Sequence, residues 1–101
     1  MRFLLILHGE TRADLHRSTF EQTAHEAGEL IGGELLAHQQ LTVTLPDRAG
    51  PAPIDAYYLI DVEDQARAVE LARLLPDACT EGRYVEIRAL MRRALTQYVE
   101  S

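Results

Sequence analysis

The sequence predicts an α+β domain, one antiparallel sheet with two helices on a single face. Two observations carry this. Strand-like and helix-like stretches follow one another in the order β-α-β-β-α-β. Sorted by parity, the strand residues then fall into one apolar set and one mixed set, as expected of a sheet with one face on a core.

The elements follow in order. RFLLILH (2–8) is apolar almost throughout and reads as a central strand, which HGE (8–10) breaks. Residues 11–28 read as a helix, with Thr11 and Asp14 or Ser18 and Glu21 as the N-terminal cap. Leu15, Phe20, Ala24 and Ala27 lie on its apolar side, and Gly28 is its C′ residue. ELIGGELLA (29–37) is a weak strand with a bend or bulge at Gly32-Gly33, and LTVTL (41–45) alternates as a half-polar strand. Together they make one split second strand. PDRAGPAP (46–53) holds three of the four prolines and is a loop. DAYYLIDV (55–62) is a strand by its aromatic and branched content.

EDQARAVELARLLP (63–76) is the clearest helix. Glu63 and Asp64 open it, and Ala66, Val69, Leu71, Ala72, Leu74 and Leu75 form its apolar stripe before Pro76 ends it. RYVEIRAL (83–90) is the last strand. With right-handed crossovers this order gives a ferredoxin-like sandwich whose first strand lies between the third and the fourth. Residues 1–90 form the single domain expected of a 101-residue chain, and 91–101 a tail or short helix.

The apolar parity set is Phe3, Leu5, Leu7, Leu41, Val43, Leu45, Ala56, Tyr58, Ile60, Val62, Val85 and Ile87. The other set includes Leu4, Ile6 and Leu59, which are too apolar to leave bare once two helices have been spent on the opposite face. A homodimer, sheet face to sheet face, is the expected solution.

Composition narrows the function. Sixteen acids against ten bases give a net charge of −6, which argues against nucleic acid or an anionic membrane as partner. Phe3–Leu7 is too short for a membrane span or a signal-peptide core. Cys79 is the only cysteine, so no internal disulfide forms, which suits a cytoplasmic location. The histidines lack metal-ligand spacing, and no phosphate-binding glycine motif occurs, so neither a metal nor another cofactor is expected.

His8 ends the first strand. Antiparallel pairing brings it near Asp55 and Tyr84, with Tyr57 on the same non-helix face. A histidine oriented by a carboxylate is the usual unit of general acid/base catalysis. His8, Asp55 and Tyr84 are therefore the candidate catalytic residues. Tyr57, Arg88 and His25 are candidate substrate contacts. Arg2, Asp61, Glu86 and Arg88 gather at the other end of that face as cross-strand ion pairs, where Arg88 could also hold a ligand carboxylate. On the alternative reading, His8 is a strand-end residue hydrogen-bonded to Asp55 or to a backbone group.

The chain resembles the YCII-related, DGPF-type small proteins. The resemblance rests on FLLILHGE (3–10), Phe20, Gly28, GGELL (32–36), YYLIDVED (57–64) with the helix ARAVELARLLP (66–76), and VEIRAL (85–90). It implies a dimeric α+β barrel and, in some members, a pocket with His/Asp chemistry. Ala49-Gly50-Pro51-Ala52 stands where the Asp-Gly-Pro-Phe motif is expected, and the hairpin before YYLID is shortened. Three functions fit: a cofactor-independent acid/base enzyme on a small metabolite, a non-catalytic ligand-binding or regulatory module, and a structural dimer acting through a protein partner.

Overall fold

A computed structural model describes residues 1–48, 50 and 52–92. The central strand is β1 (Arg2–His8), whose side chains alternate between buried and half-buried along its length. It pairs antiparallel with β3 (Ile54–Asp61) on one side and β4 (Tyr84–Ala89) on the other. β2 (Leu30–Leu35) pairs antiparallel with β3 at the sheet edge, giving the order β2-β3-β1-β4. Helices α1 (Ser18–Glu26) and α2 (Gln65–Ala72) complete a small α+β domain with a four-stranded antiparallel sheet.

The helix-covered core is the expected parity set of β1 and β3. Phe3, Leu5, Leu7, Ala56, Tyr58, Ile60 and Val62 are buried, with Val85 and Ile87 of β4 packed against them. Phe20 and Ala24 of α1 and Ala68, Leu71 and Ala72 of α2 close this core from above, with Leu75 just beyond α2. The Phe20 ring meets the Tyr58 ring at 4.7 Å in a tilted contact. Leu4, Ile6, Tyr57 and Leu59 on the opposite face are only half-buried.

Three expectations are corrected. LTVTL is not a strand: β2 alone takes the place beside β3, and Leu41, Val43 and Leu45 are exposed rather than part of the core. α1 begins seven residues later than expected, at Ser18, because Arg17 is drawn inward to two aspartates instead of continuing a helical turn. The buried stripe of α2 runs through Ala68, Leu71 and Ala72, while Ala66 and Leu74 are exposed.

The helix ends are local chemistry. Gly28 has φ 71, and the Gly28 and Glu29 amides donate to the His25 and Ala24 carbonyls, closing α1 with a Schellman motif. The Asp64 carboxylate accepts from the Arg67 amide at 2.9 Å and caps α2. Of the segment after residue 90, everything from Arg93 on lies outside the described residues, as do Ala49 and Pro51 of the shortened motif loop.

Candidate functional site

β1 delivers His8 to the end of the sheet, opposite Tyr84 of β4. The two rings stack almost parallel, with centroids 4.3 Å apart and planes 9° from each other. Glu86 sits two residues along β4 on the same face, diagonal to His8, within reach of a long side chain. Its Oε1 lies 2.8 Å from His8 Nε2. Its other oxygen accepts from Arg88 Nε at 2.8 Å, and Arg88 Nη2 donates to it as well. The His8 hydrogen bond, with the Arg88 contacts behind it, holds the Glu86 carboxyl below its usual range.

A carboxylate only accepts, so Nε2 carries the proton in this pair and Nδ1 is left as the basic atom. His8 and Tyr84 line a cleft of about 260 Å³ with Gly9, Ala52, Pro53 and Gly82. Gly9 donates its amide to the Pro53 carbonyl at 3.0 Å and has φ 144. A Cβ there would lie 2.7 Å from Arg83 Nη1, so only glycine fits where the loop crosses that guanidinium.

Asp55 is not the partner of His8. The β1–β3 register slips between Leu7 and His8: Leu7 faces Ala56 and His8 faces Ile54, so Asp55 is the extra residue of a bulge. It is buried toward the helices. There it belongs to a quartet with Arg17, Asp77 and Arg83. Arg17 grips Asp77 through Nε at 2.9 Å and Nη2 at 2.8 Å, and reaches Asp55 with the same Nη2 at 2.7 Å. Arg83 completes the set, 2.9 Å from Asp55 and 3.1 Å from Asp77, and donates to the Glu10 carbonyl at 2.6 Å.

Two positive and two negative charges are thus satisfied beneath the cleft floor. The paired carboxylates push the Arg17 guanidinium up, the Asp77 hydrogen bonds foremost. Burial alone would push the Asp77 carboxyl up, but Arg17 and Arg83 more than reverse this and hold it below its usual range.

The remaining candidates separate. Tyr57 lies mid-strand opposite Ile6 on the non-helix face, away from the cleft. Arg88 is exposed and engaged with Glu86 of its own strand rather than in a cross-strand pair. Asp61 bonds the N-terminal ammonium at 3.3 Å instead of Arg2, although Arg2 is its strand partner. His25 faces the helix side: it lines an open groove of about 530 Å³ between α1 and β2, together with Leu30, Gly33 and Tyr58. The Tyr58 hydroxyl donates to Glu21 there, and burial first, then Glu21, pushes its pKa up.

Sequence reasoning puts Glu86 among the ion pairs rather than beside His8, and does not bring Arg17, Asp77 and Arg83 to Asp55. Glu86 was within reach, because placing His8 opposite Tyr84 also places Glu86 one diagonal step away. No signal in the sequence marks Arg17 or Arg83 as buried. Among the described residues, no group of three or more His, Cys, Asp or Glu side chains could hold a metal ion, and no helix is long and apolar enough to cross a membrane. No family model, no curated protein and no solved structure matches the chain.

Proposed function

We propose that the cleft at the end of β1 is an acid/base site for a small metabolite, working without a cofactor. The observation that carries this is the His8–Glu86 hydrogen bond of 2.8 Å beside the stacked Tyr84, at the wall of a cleft of about 260 Å³. His8 is the base through Nδ1. Glu86 fixes its tautomer and stabilises the imidazolium that forms, and Arg88 keeps Glu86 ionised. Tyr84 holds the imidazole plane. The cleft of about 260 Å³ and its small apolar and glycine walls suit a small substrate that offers His8 an acidic proton.

Non-catalytic binding of a small ligand is the second reading. It is favoured by the short supply of ionisable groups: among the described residues lining the cleft, His8 and Tyr84 are the only ones. Solvent-deuterium exchange into a panel of small carboxylic and carbonyl compounds separates the two, read by NMR alongside ligand-induced shifts of the His8 ring. Catalysis predicts exchange that His8→Ala abolishes and Glu86→Gln slows about 10- to 100-fold. Ring shifts without exchange would leave only binding, and exchange surviving His8→Ala would sink the assignment.

The finer architecture belongs to the same reading. The strand order β2-β3-β1-β4 supports a ferredoxin-like sandwich. Half-buried Leu4, Ile6 and Leu59 support a homodimer through the uncovered sheet face, as in a dimeric α+β barrel of YCII type. The lone exposed Cys79 fits a reducing, cytoplasmic setting.

A further inference from the structure

Residues 41–45, LTVTL, have the alternation and branched content of a strand, and Thr42 has extended backbone, yet they pair with nothing among the described residues. Their apolar side is laid open to solvent: Leu41 is 75%, Val43 84% and Leu45 93% exposed. Leu41 closes a 3-10 turn and only the residues after it leave the helical backbone, but three large apolar side chains within five residues form a patch that normally has a partner.

The same chain supplies a matching surface. β2 is an edge strand of six residues, LIGGEL, with a single charge, Glu34, to blunt it. Ile31 and Leu35 on it are exposed. Against its helix side runs the groove of about 530 Å³ under α1, floored by Leu30, Gly33 and Tyr58. A strand added about 4.8 Å outside β2 would send every second side chain into that groove. The opposite edge, β4, presents Tyr84 and Arg88, the latter engaged with Glu86.

The chain does not close this pairing on itself. Five residues separate Leu35 from Leu41, enough for a hairpin. However, the Leu36 amide is held by the Asp55 carbonyl at 2.8 Å, and a 3-10 turn over Gln39–Leu41 is capped by the His38 imidazole on the Gln40 amide at 3.1 Å. These bonds steer the segment away from its own edge. Glu34 on β2 and Arg48 just past the arm are exposed and of opposite charge.

We propose that residues 41–45, with Leu41 leaving the 3-10 turn, form a strand arm that adds to the free edge of β2 in a second copy of this chain. Reciprocal exchange gives a closed pair with two identical contacts. Leu41, Val43 and Leu45 fill the partner's groove, and Thr42 and Thr44 face the other way. This contact is separate from the sheet face, so each is tested without the other.

The test is the mass of the full chain by light scattering from 1 to 200 µM, for the unaltered protein, Val43→Asp, Ile6→Glu and the double variant, with circular dichroism to check the fold. Val43→Asp should halve the mass at equal concentration, in the unaltered and the Ile6→Glu backgrounds alike. Hydrogen exchange should show residues 30–35 and 41–45 becoming protected together as concentration rises. A mass unchanged by Val43→Asp overturns the proposal whatever Ile6→Glu does, as does a monomer throughout. Protection of 41–45 that is independent of concentration overturns it too, because the arm would then pair with its own chain.

Discussion

Arg17 shows how much one side chain can fix. It sits at the start of α1, where a small capping residue would ordinarily serve, and there is no side-chain cap. Its guanidinium instead joins Asp55 of β3 to Asp77 beyond α2, tying three distant segments at one buried point. Removing it leaves two buried carboxylates to share Arg83. Arg17→Ala should therefore lose about 3–5 kcal/mol in urea unfolding. Arg17→Lys should recover only part of this, since an ammonium cannot make the two-pronged contact.

The pH dependence follows from Asp77. Its folded pKa is depressed, so its contribution is present above the unfolded value of about 4 and is lost as pH falls through the folded value. Unfolding free energy should hold through neutral pH, decline below about pH 4, and decline less steeply in Arg17→Ala. At this scale the sequence was read unevenly. His8 beside Tyr84 followed from antiparallel pairing, and the structure agrees. Asp55 was placed on the wrong side because simple alternation has no room for a one-residue bulge.

At the scale of elements, local chemistry decided the ends and long-range contacts decided the extents. Asp64 caps α2 because a short carboxylate at that position reaches the Arg67 amide. Asp64→Ala should cost about 1 kcal/mol by thermal or urea unfolding, with the helix otherwise intact. Gly28 ends α1 by the same kind of local rule. The start of α1 obeyed no local rule, since the competing buried ion network took Arg17 first. LTVTL shows the reverse failure. Its pattern is strand-like, but a strand exists only when a neighbour accepts its hydrogen bonds, and β2 had already taken the position beside β3.

At the scale of the whole molecule, two helices cover one face of the four strands, and neither lies on the other. Leu4, Ile6 and Leu59 on that face remain half-buried. Ile6→Glu places a charge at its centre, next to Glu86. If the faces pair, sedimentation at tens of micromolar should show the variant about tenfold or more weaker in self-association than the unaltered chain, with unchanged circular dichroism. Equal association would remove the sheet face from the interface.

The sequence by itself determined the order of elements, the parity that sends Phe3, Leu5, Leu7, Tyr58 and Ile60 into one core, and the glycine and aspartate that end or begin the helices. These depend on side-chain period and on backbone groups a few residues apart. Only the tertiary structure decided that His8 answers to Glu86, that Asp55 turns inward to two arginines, and that LTVTL is left without a strand partner among the described residues. Each of these depends on strand register and on competition between partners far apart in the chain, and neither is written in any local stretch of residues.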